Sequence, residues 1–212
     1  MAIFLDSAII HEVREAAGLG FVKGVTTNPT LILKSGSQDY VGAVAEICNT
    51  IPGKVFYQIN APTLSEMRQE YDQVKDISPN LAYKIPCTLT GLQFTAELSR
   101  KAEVGITAIF TPAQAYLSAE AGARYVLPFV NRTTRLTGSG FELVNSIVEV
   151  IAHTQCEVLA VSLKSALEVT DVVRAGAQHI SIPLNLIKEM AENSLTQSAI
   201  SDFNQSLSQL KG

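Results

Sequence analysis

Cysteine is scarce in this chain, with three in 212 residues, at positions 48, 87 and 156. An odd number so widely spaced supplies neither a disulfide framework nor a zinc cluster, and leaves buried free thiols as the expectation. No apolar run approaches the roughly 20 residues that span a bilayer, so no membrane segment is expected. The first residues, MAIFLDSAII, lack the basic start and small-residue cleavage pattern of a secretory leader, which points to a cytoplasmic protein. No run of lysine or arginine occurs, and the formal net charge is -4. That gives no basic field for nucleic acid, so any anionic ligand must be held locally. The three histidines, His11, His153 and His179, share no metal-ligand spacing and read as surface or packing residues, so no metal is expected. The glycines of GLGFVKG precede a strand instead of following one, the wrong context for a dinucleotide fingerprint. Neither a phosphate loop nor a G-x-S-x-G nucleophile elbow is present.

What the chain does have is a 47% hydrophobic composition, enough for one well-packed domain over residues 1–212. Short β-branched runs alternate with segments of helical apolar spacing through almost the whole length. The predicted strands are Ile3–Asp6, Gly24–Thr27, Val55–Asn60, Leu81–Ile85, Ile106–Ile109, Tyr125–Phe129, Glu157–Ser162 and His179–Ile182. Between them the spacing predicts helices over Ala8–Ala17, Tyr40–Asn49, Leu64–Val74, Leu89–Lys101, Ala113–Ala121, Phe141–His153, Ala166–Arg174 and Leu184–Glu192. Eight β/α units imply a parallel (β/α)8 barrel; a doubly wound sheet uses the same alternation with fewer strands. Residues 195–210 carry a further helical pattern through Leu195, Ala199, Ile200, Phe203, Leu207 and Leu210. This helix is surplus to the barrel, and either folds back over its own barrel or lies as an arm on a neighbouring subunit.

In a barrel of this kind the residues at the carboxyl ends of the strands line the functional mouth, so polar residues there need explaining. They are Asp6, Thr26 and Asn28, Gln58 and Asn60, Lys84, Thr107, then Arg132 after the sixth strand and Ser162 with Lys164 after the seventh. Lys84 lies inside the apolar run NLAYKIPCT. It is either a strand lysine whose ammonium snorkels to water or, if buried, an amine of lowered pKa able to attack a carbonyl and form a Schiff base. The second role needs an acid or base in reach, and Asp6 on another strand of the same mouth can serve. Arg132 and Lys164 together suit a phosphate.

The strings IFLDSA, GVTTNPTLI, YKIPCTLTGL, ITAIFTPAQAYLSAEAGARYVLPFVNR and AVSLKS resemble the transaldolase and fructose-6-phosphate aldolase family, in order and over essentially the whole chain. The resemblance implies a TIM barrel that cleaves ketose phosphates through a lysine Schiff base, without metal or other cofactor. It also implies a ring-based homo-oligomer, up to a decamer, with the terminal helix reaching a neighbour. Carried across, Lys84 matches the Schiff-base lysine and Asp6 the acid/base carboxylate, while Thr26 and Asn28 match groups that hold sugar hydroxyls. Thr107 matches the threonine beside the catalytic water, and Arg132 and Ser162 the phosphate ligands, with Lys164 where many transaldolases have arginine.

The resemblance divides on the fate of the three-carbon enamine. Release as dihydroxyacetone defines an aldolase, and transfer to another aldose phosphate defines a transaldolase. Gln58 stands where the aldolases resemble one another in carrying glutamine, Phe129 where transaldolases carry phenylalanine. An amide orients water without exchanging a proton with it, whereas a missing phenol hydroxyl removes one hydrogen bond worth about 1 kcal/mol, so Gln58 is given more weight and an aldolase is expected. Leu127 stands where the family usually carries serine or alanine, and is expected to narrow the pocket.

Overall fold

A computed structural model describes residues 1–210. Its centre is a closed barrel of eight parallel strands in sequential order. These are β1 (Ala2–Asp6), β2 (Val22–Thr26), β3 (Lys54–Gln58), β4 (Leu81–Pro86), β5 (Val104–Ile109), β6 (Tyr125–Pro128), β7 (Glu157–Ala160) and β8 (His179–Ile182). Around it run α1 (Ile10–Gly18), α2 (Pro29–Lys34), α3 (Tyr40–Thr50), α4 (Leu64–Val74), α5 (Leu89–Leu98), α6 (Pro112–Glu120), α7 (Val130–Thr137), α8 (Gly140–Ile151), α9 (Ala166–Arg174) and α10 (Leu184–Ala191), followed by α11 (Ser194–Leu210). The barrel and the surplus helix match the sequence reading. No helix among the described residues is long and apolar enough to cross a membrane.

Strand alternation sorts the core into two parts. One parity of each strand faces the helices, as Tyr83 and Ile85 do on β4, and joins the large outer cluster. The other parity faces the lumen, where Phe4, Phe56, Ala82, Tyr125, Leu127, Leu159 and Val161 form a separate inner cluster. The helices start where polar side chains at strand-end loops cap them: Thr63 and Thr111 form capping boxes with Glu66 and Gln114, and Thr88 and Ser165 accept from Gly91 and Glu168.

Two helices were not anticipated. Helix α2 is short, but Asn28 caps it and Pro29 occupies its first turn, which pre-sets the backbone. Helix α7 reads VNRTTRLT, poor in helix formers; Thr133 and Thr134 donate back to the carbonyls of Phe129 and Val130, and Gly138 ends it at φ 97°. The predicted reach of β7 to Ser162 is also corrected. The strand stops at Ala160, and Ser162 turns into the left-handed region at φ 61°.

Leu127 is fully buried in the inner cluster. A Cβ placed on Gly105 of the neighbouring strand would lie 2.8 Å from Leu127 Cδ1 and 3.3 Å from the Phe56 ring. The leucine therefore fills the space that the glycine leaves. Gly105→Ala is expected to cost about 1–3 kcal/mol through overpacking, and Leu127→Ala about 2–5 kcal/mol through a cavity. In urea titrations of both single variants and the double, the double variant should lose less than the sum of the two single losses; strict additivity would contradict the pairing.

Candidate active site

Lys84 follows Ala82 on the inward parity of β4, so the pleat itself aims its side chain into the lumen. Its strand neighbours in register are Gln58 on β3 and Gly105 on β5. The residue is 5% exposed, and burial in the barrel lowers the amine's pKa from 10.5 to about 8, with only the charge of Asp6 pulling it back up. Near neutral pH about a tenth of the amine is therefore unprotonated, against well under a hundredth for an ordinary lysine.

Asp6 ends β1 beside Thr26 in the β1–β2 register. Burial raises its pKa, opposed by the charge of Lys84, by a hydrogen bond from Thr26, and by the charges of Lys164 and Lys34. The Thr26 hydroxyl donates to Asp6 Oδ1 at 3.0 Å and lies 2.6 Å from Ser181 Oγ on β8. Since an ionised Asp6 only accepts, Ser181 donates to Thr26 and Thr26 to Asp6. Thr26 is thus turned toward the carboxylate. Its role there is visible only across three strands, and Ser181 was not singled out in the sequence.

A cleft of about 490 Å³ opens over these groups, lined by Asp6, Thr26, Asn28, Gln58, Lys84, Phe129, Arg132, Ser162 and Lys164 and also by Lys34 and Asn60. Nine of the expected site residues come together here. Thr107 and Leu127 do not line it. Thr107 is buried with a hydroxyl that finds no partner among the described residues, beside a β-bulge at Ala108, whose φ is 59°. Among the residues lining the cleft Asp6 is the sole carboxylate against Lys34, Lys84, Arg132 and Lys164, a local positive field in a chain of net charge -4. A second cleft of about 490 Å³ at the opposite end of the barrel also holds three lysines, but Lys54 pairs there with Glu103 and Lys75 with Asp72.

The supports of the cleft are specific. Asn28 Oδ1 accepts from the Leu31 N–H at 3.0 Å, capping α2. Gln58 Nε2 donates to Asn60 Oδ1 at 2.6 Å, and the backbone N–H of Gln58 donates to the Tyr40 hydroxyl at 2.9 Å. Tyr40 stacks on Tyr57 with centroids 4.5 Å apart, and Glu70 accepts from Tyr57 Oη and from the N–H groups of Asn60 and Ala61. The Arg132 guanidinium lies 4.9 Å over the Phe129 ring. Neither Tyr40 nor Glu70 carries a signal in one sequence, because Tyr40 bonds to the backbone of Gln58 and Glu70 to the Tyr57 hydroxyl and the N–H groups of Asn60 and Ala61, pairings that only the fold creates.

Residues 3–211 match the family described as Transaldolase/Fructose-6-phosphate aldolase. The chain belongs to the transaldolase/fructose-6-phosphate aldolase family. It is 38% identical over 207 residues to a protein of Paracoccus denitrificans (strain Pd 1222) named probable transaldolase, covering 96% of this chain and 95% of that one. Proteins of the same name from Dehalococcoides mccartyi and Caldicellulosiruptor saccharolyticus are 37% and 35% identical, each over 207 residues and 96% of this chain, and over 96% and 95% of their own lengths. As a member of this family the chain is an enzyme of the transaldolase/aldolase kind.

The electrostatics of Lys84 generate a titration. Because only a neutral amine attacks a carbonyl, any reaction of Lys84 with a ketone should rise with pH about a midpoint near 8. Asp6→Asn removes the charge that holds the pKa up, so the midpoint should move to lower pH. The initial rate of borohydride-trapped adduct across a pH series measures both; a midpoint near the ordinary lysine value, or an upward move in the variant, would contradict the assignment.

Proposed function

We propose that the chain is a class I aldolase that cleaves and forms fructose 6-phosphate through a Schiff base on Lys84. The observation that carries this reading is the buried amine of Lys84, lowered to about 8, in a cleft with a single, half-buried carboxylate and a cationic rim.

Lys84 Nζ attacks the C2 ketone, and loss of water leaves a protonated imine that serves as an electron sink. Asp6 takes the C4 hydroxyl proton, the C3–C4 bond breaks, and its electron pair forms the enamine while glyceraldehyde 3-phosphate departs. Protonation of the enamine at C3 and hydrolysis of the imine release dihydroxyacetone and restore Lys84. Thr26, backed by Ser181, stabilises the ionised Asp6 before it accepts the proton. Arg132, Ser162 and Lys164 hold the phosphate, and Asn28, whose amide oxygen is spent on its cap, offers its N–H groups to sugar hydroxyls. Gln58, in register with Lys84 and tied to Asn60, orients the water of the proton transfers together with the unpartnered Thr107 hydroxyl.

The second reading is a transaldolase, in which the enamine attacks an aldose phosphate instead of being protonated. It is favoured by the names of the relatives and by Phe129, whose ring packs edge-on against Phe110 at 5.6 Å and offers no hydroxyl to a water. Under either reading the apolar positions of α11, Leu195, Ile200, Phe203, Leu207 and Leu210, stand in solvent, and no residue of that helix is buried. This supports an arm laid on a neighbouring subunit of a homo-oligomer.

The products of fructose 6-phosphate with added erythrose 4-phosphate test the choice. Free dihydroxyacetone should exceed sedoheptulose 7-phosphate, and Gln58→Glu should move the ratio toward transfer, because the new carboxylate stabilises the charged imine. Transfer product in excess for the unaltered protein would favour the transaldolase, and faster hydrolysis in the variant would remove the role given to Gln58.

Lys84→Met should abolish turnover while leaving the thermal midpoint within a few degrees, since a near-isosteric apolar side chain replaces a buried amine. Substantial residual cleavage would refute Lys84 as the nucleophile.

A further inference from the structure

The two arms that carry the cations over the cleft come from different β/α loops. Arg132 sits in the first turn of α7, after β6, whereas Ser162 and Lys164 lie in the loop between β7 and α9. Besides direct backbone bonds between them, a carboxylate on neither arm ties them together. Glu168 in the first turn of α9 accepts from the backbone N–H of Lys164 at 2.6 Å through one oxygen and from Asn131 Nδ2 at 2.7 Å through the other. Asn131 immediately precedes Arg132, and its own N–H donates to the Ser162 carbonyl at 3.0 Å, while Val130 N–H donates to the Val161 carbonyl at 3.1 Å. The stretch so tied includes Ser162 in a left-handed conformation that a non-glycine residue keeps only where its surroundings over-determine it.

We propose that Glu168 is a positioning residue that straps the two arms of the anion site together and so sets the affinity for phosphorylated substrates. The proposal rests on the reading that Arg132, Ser162 and Lys164 hold the phosphate. Glu168 does not line the cleft, and its negative charge beside a phosphate site would by itself weaken binding of an anion. Its contribution is therefore the geometry of its two bonds. With the strap in place, the loop after β7 presents Ser162 and Lys164 at a fixed separation from Arg132, and phosphate meets an arrangement already made.

The test compares dihydroxyacetone addition to glyceraldehyde 3-phosphate and to unphosphorylated glyceraldehyde. Glu168→Ala removes both bonds, and should raise the KM for the phosphorylated aldehyde by about tenfold while moving that for glyceraldehyde less than about twofold. Glu168→Gln keeps an acceptor for the Lys164 N–H, and its amide can donate to a turned Asn131 side chain, so it should stay within about twofold of the unaltered protein on both. Asn131→Ala removes one bond, guards against a Glu168→Ala chain that does not fold, and should give an intermediate, phosphate-selective rise. Arg132→Ala separates the two levels. If it shows no phosphate-selective loss, the anion-site reading falls and the strap with it; if it does while Glu168→Ala and Asn131→Ala do not, the strap alone is overturned. Equal losses on both aldehydes, or a Glu168→Gln variant as impaired as Glu168→Ala, would also overturn it.

Discussion

An ammonium placed inside a β-barrel costs several kcal/mol unless it is paired or gives up its proton, and the arrangement of this site follows from that cost at Lys84. The β4 pleat leaves the side chain no other direction, since Tyr83 and Ile85 on the opposite parity are committed to the outer core. Burial lowers the amine to about 8, which makes the neutral form far more accessible near neutral pH than in an ordinary lysine. The same burial raises Asp6, and Lys84, Thr26, Lys164 and Lys34 pull it back toward ionisation. Each group thus restrains the other's shift. A carboxylate made harder to ionise and an amine made easier to deprotonate are the pair that the proposed imine formation and C4 proton transfer call for.

The rim works against the sign of the whole molecule. A chain of net charge -4 gathers Lys34, Arg132 and Lys164 around one opening, so attraction of an anion is a local property and should weaken with salt. The two non-glycine residues held at positive φ among the described residues, Ala108 and Ser162, lie next to Thr107 and inside the loop after β7 respectively. Positive-φ strain in this fold is therefore placed beside residues of the cleft and its surroundings.

Much of this was legible in one sequence. The period-two strands and their number gave the barrel, and a charge inside LAYKIP could face only the lumen or the helices, which made Lys84 conspicuous. Strand-end polarity then named nine residues that the fold brings to one cleft. What escaped detection depends on neighbours that are remote in the chain. Helix α7 is held by threonine back-bonds that propensity does not count. Leu127 looked like an obstruction because its complement, Gly105, lies on another strand. Ser181, Tyr40, Glu70 and Glu168 act through hydrogen bonds to residues that position others, and Lys34 reaches the cleft only because α2 exists.

The central claim is that Lys84 forms the covalent bond to substrate. Reduction with borohydride in the presence of dihydroxyacetone, followed by mass analysis of the digested chain, tests it most directly. The account predicts a single adduct on the peptide that carries Lys84, absent when borohydride or dihydroxyacetone is omitted. An unmodified Lys84 peptide from active protein, or an adduct confined to another lysine such as Lys34 or Lys164, would contradict it.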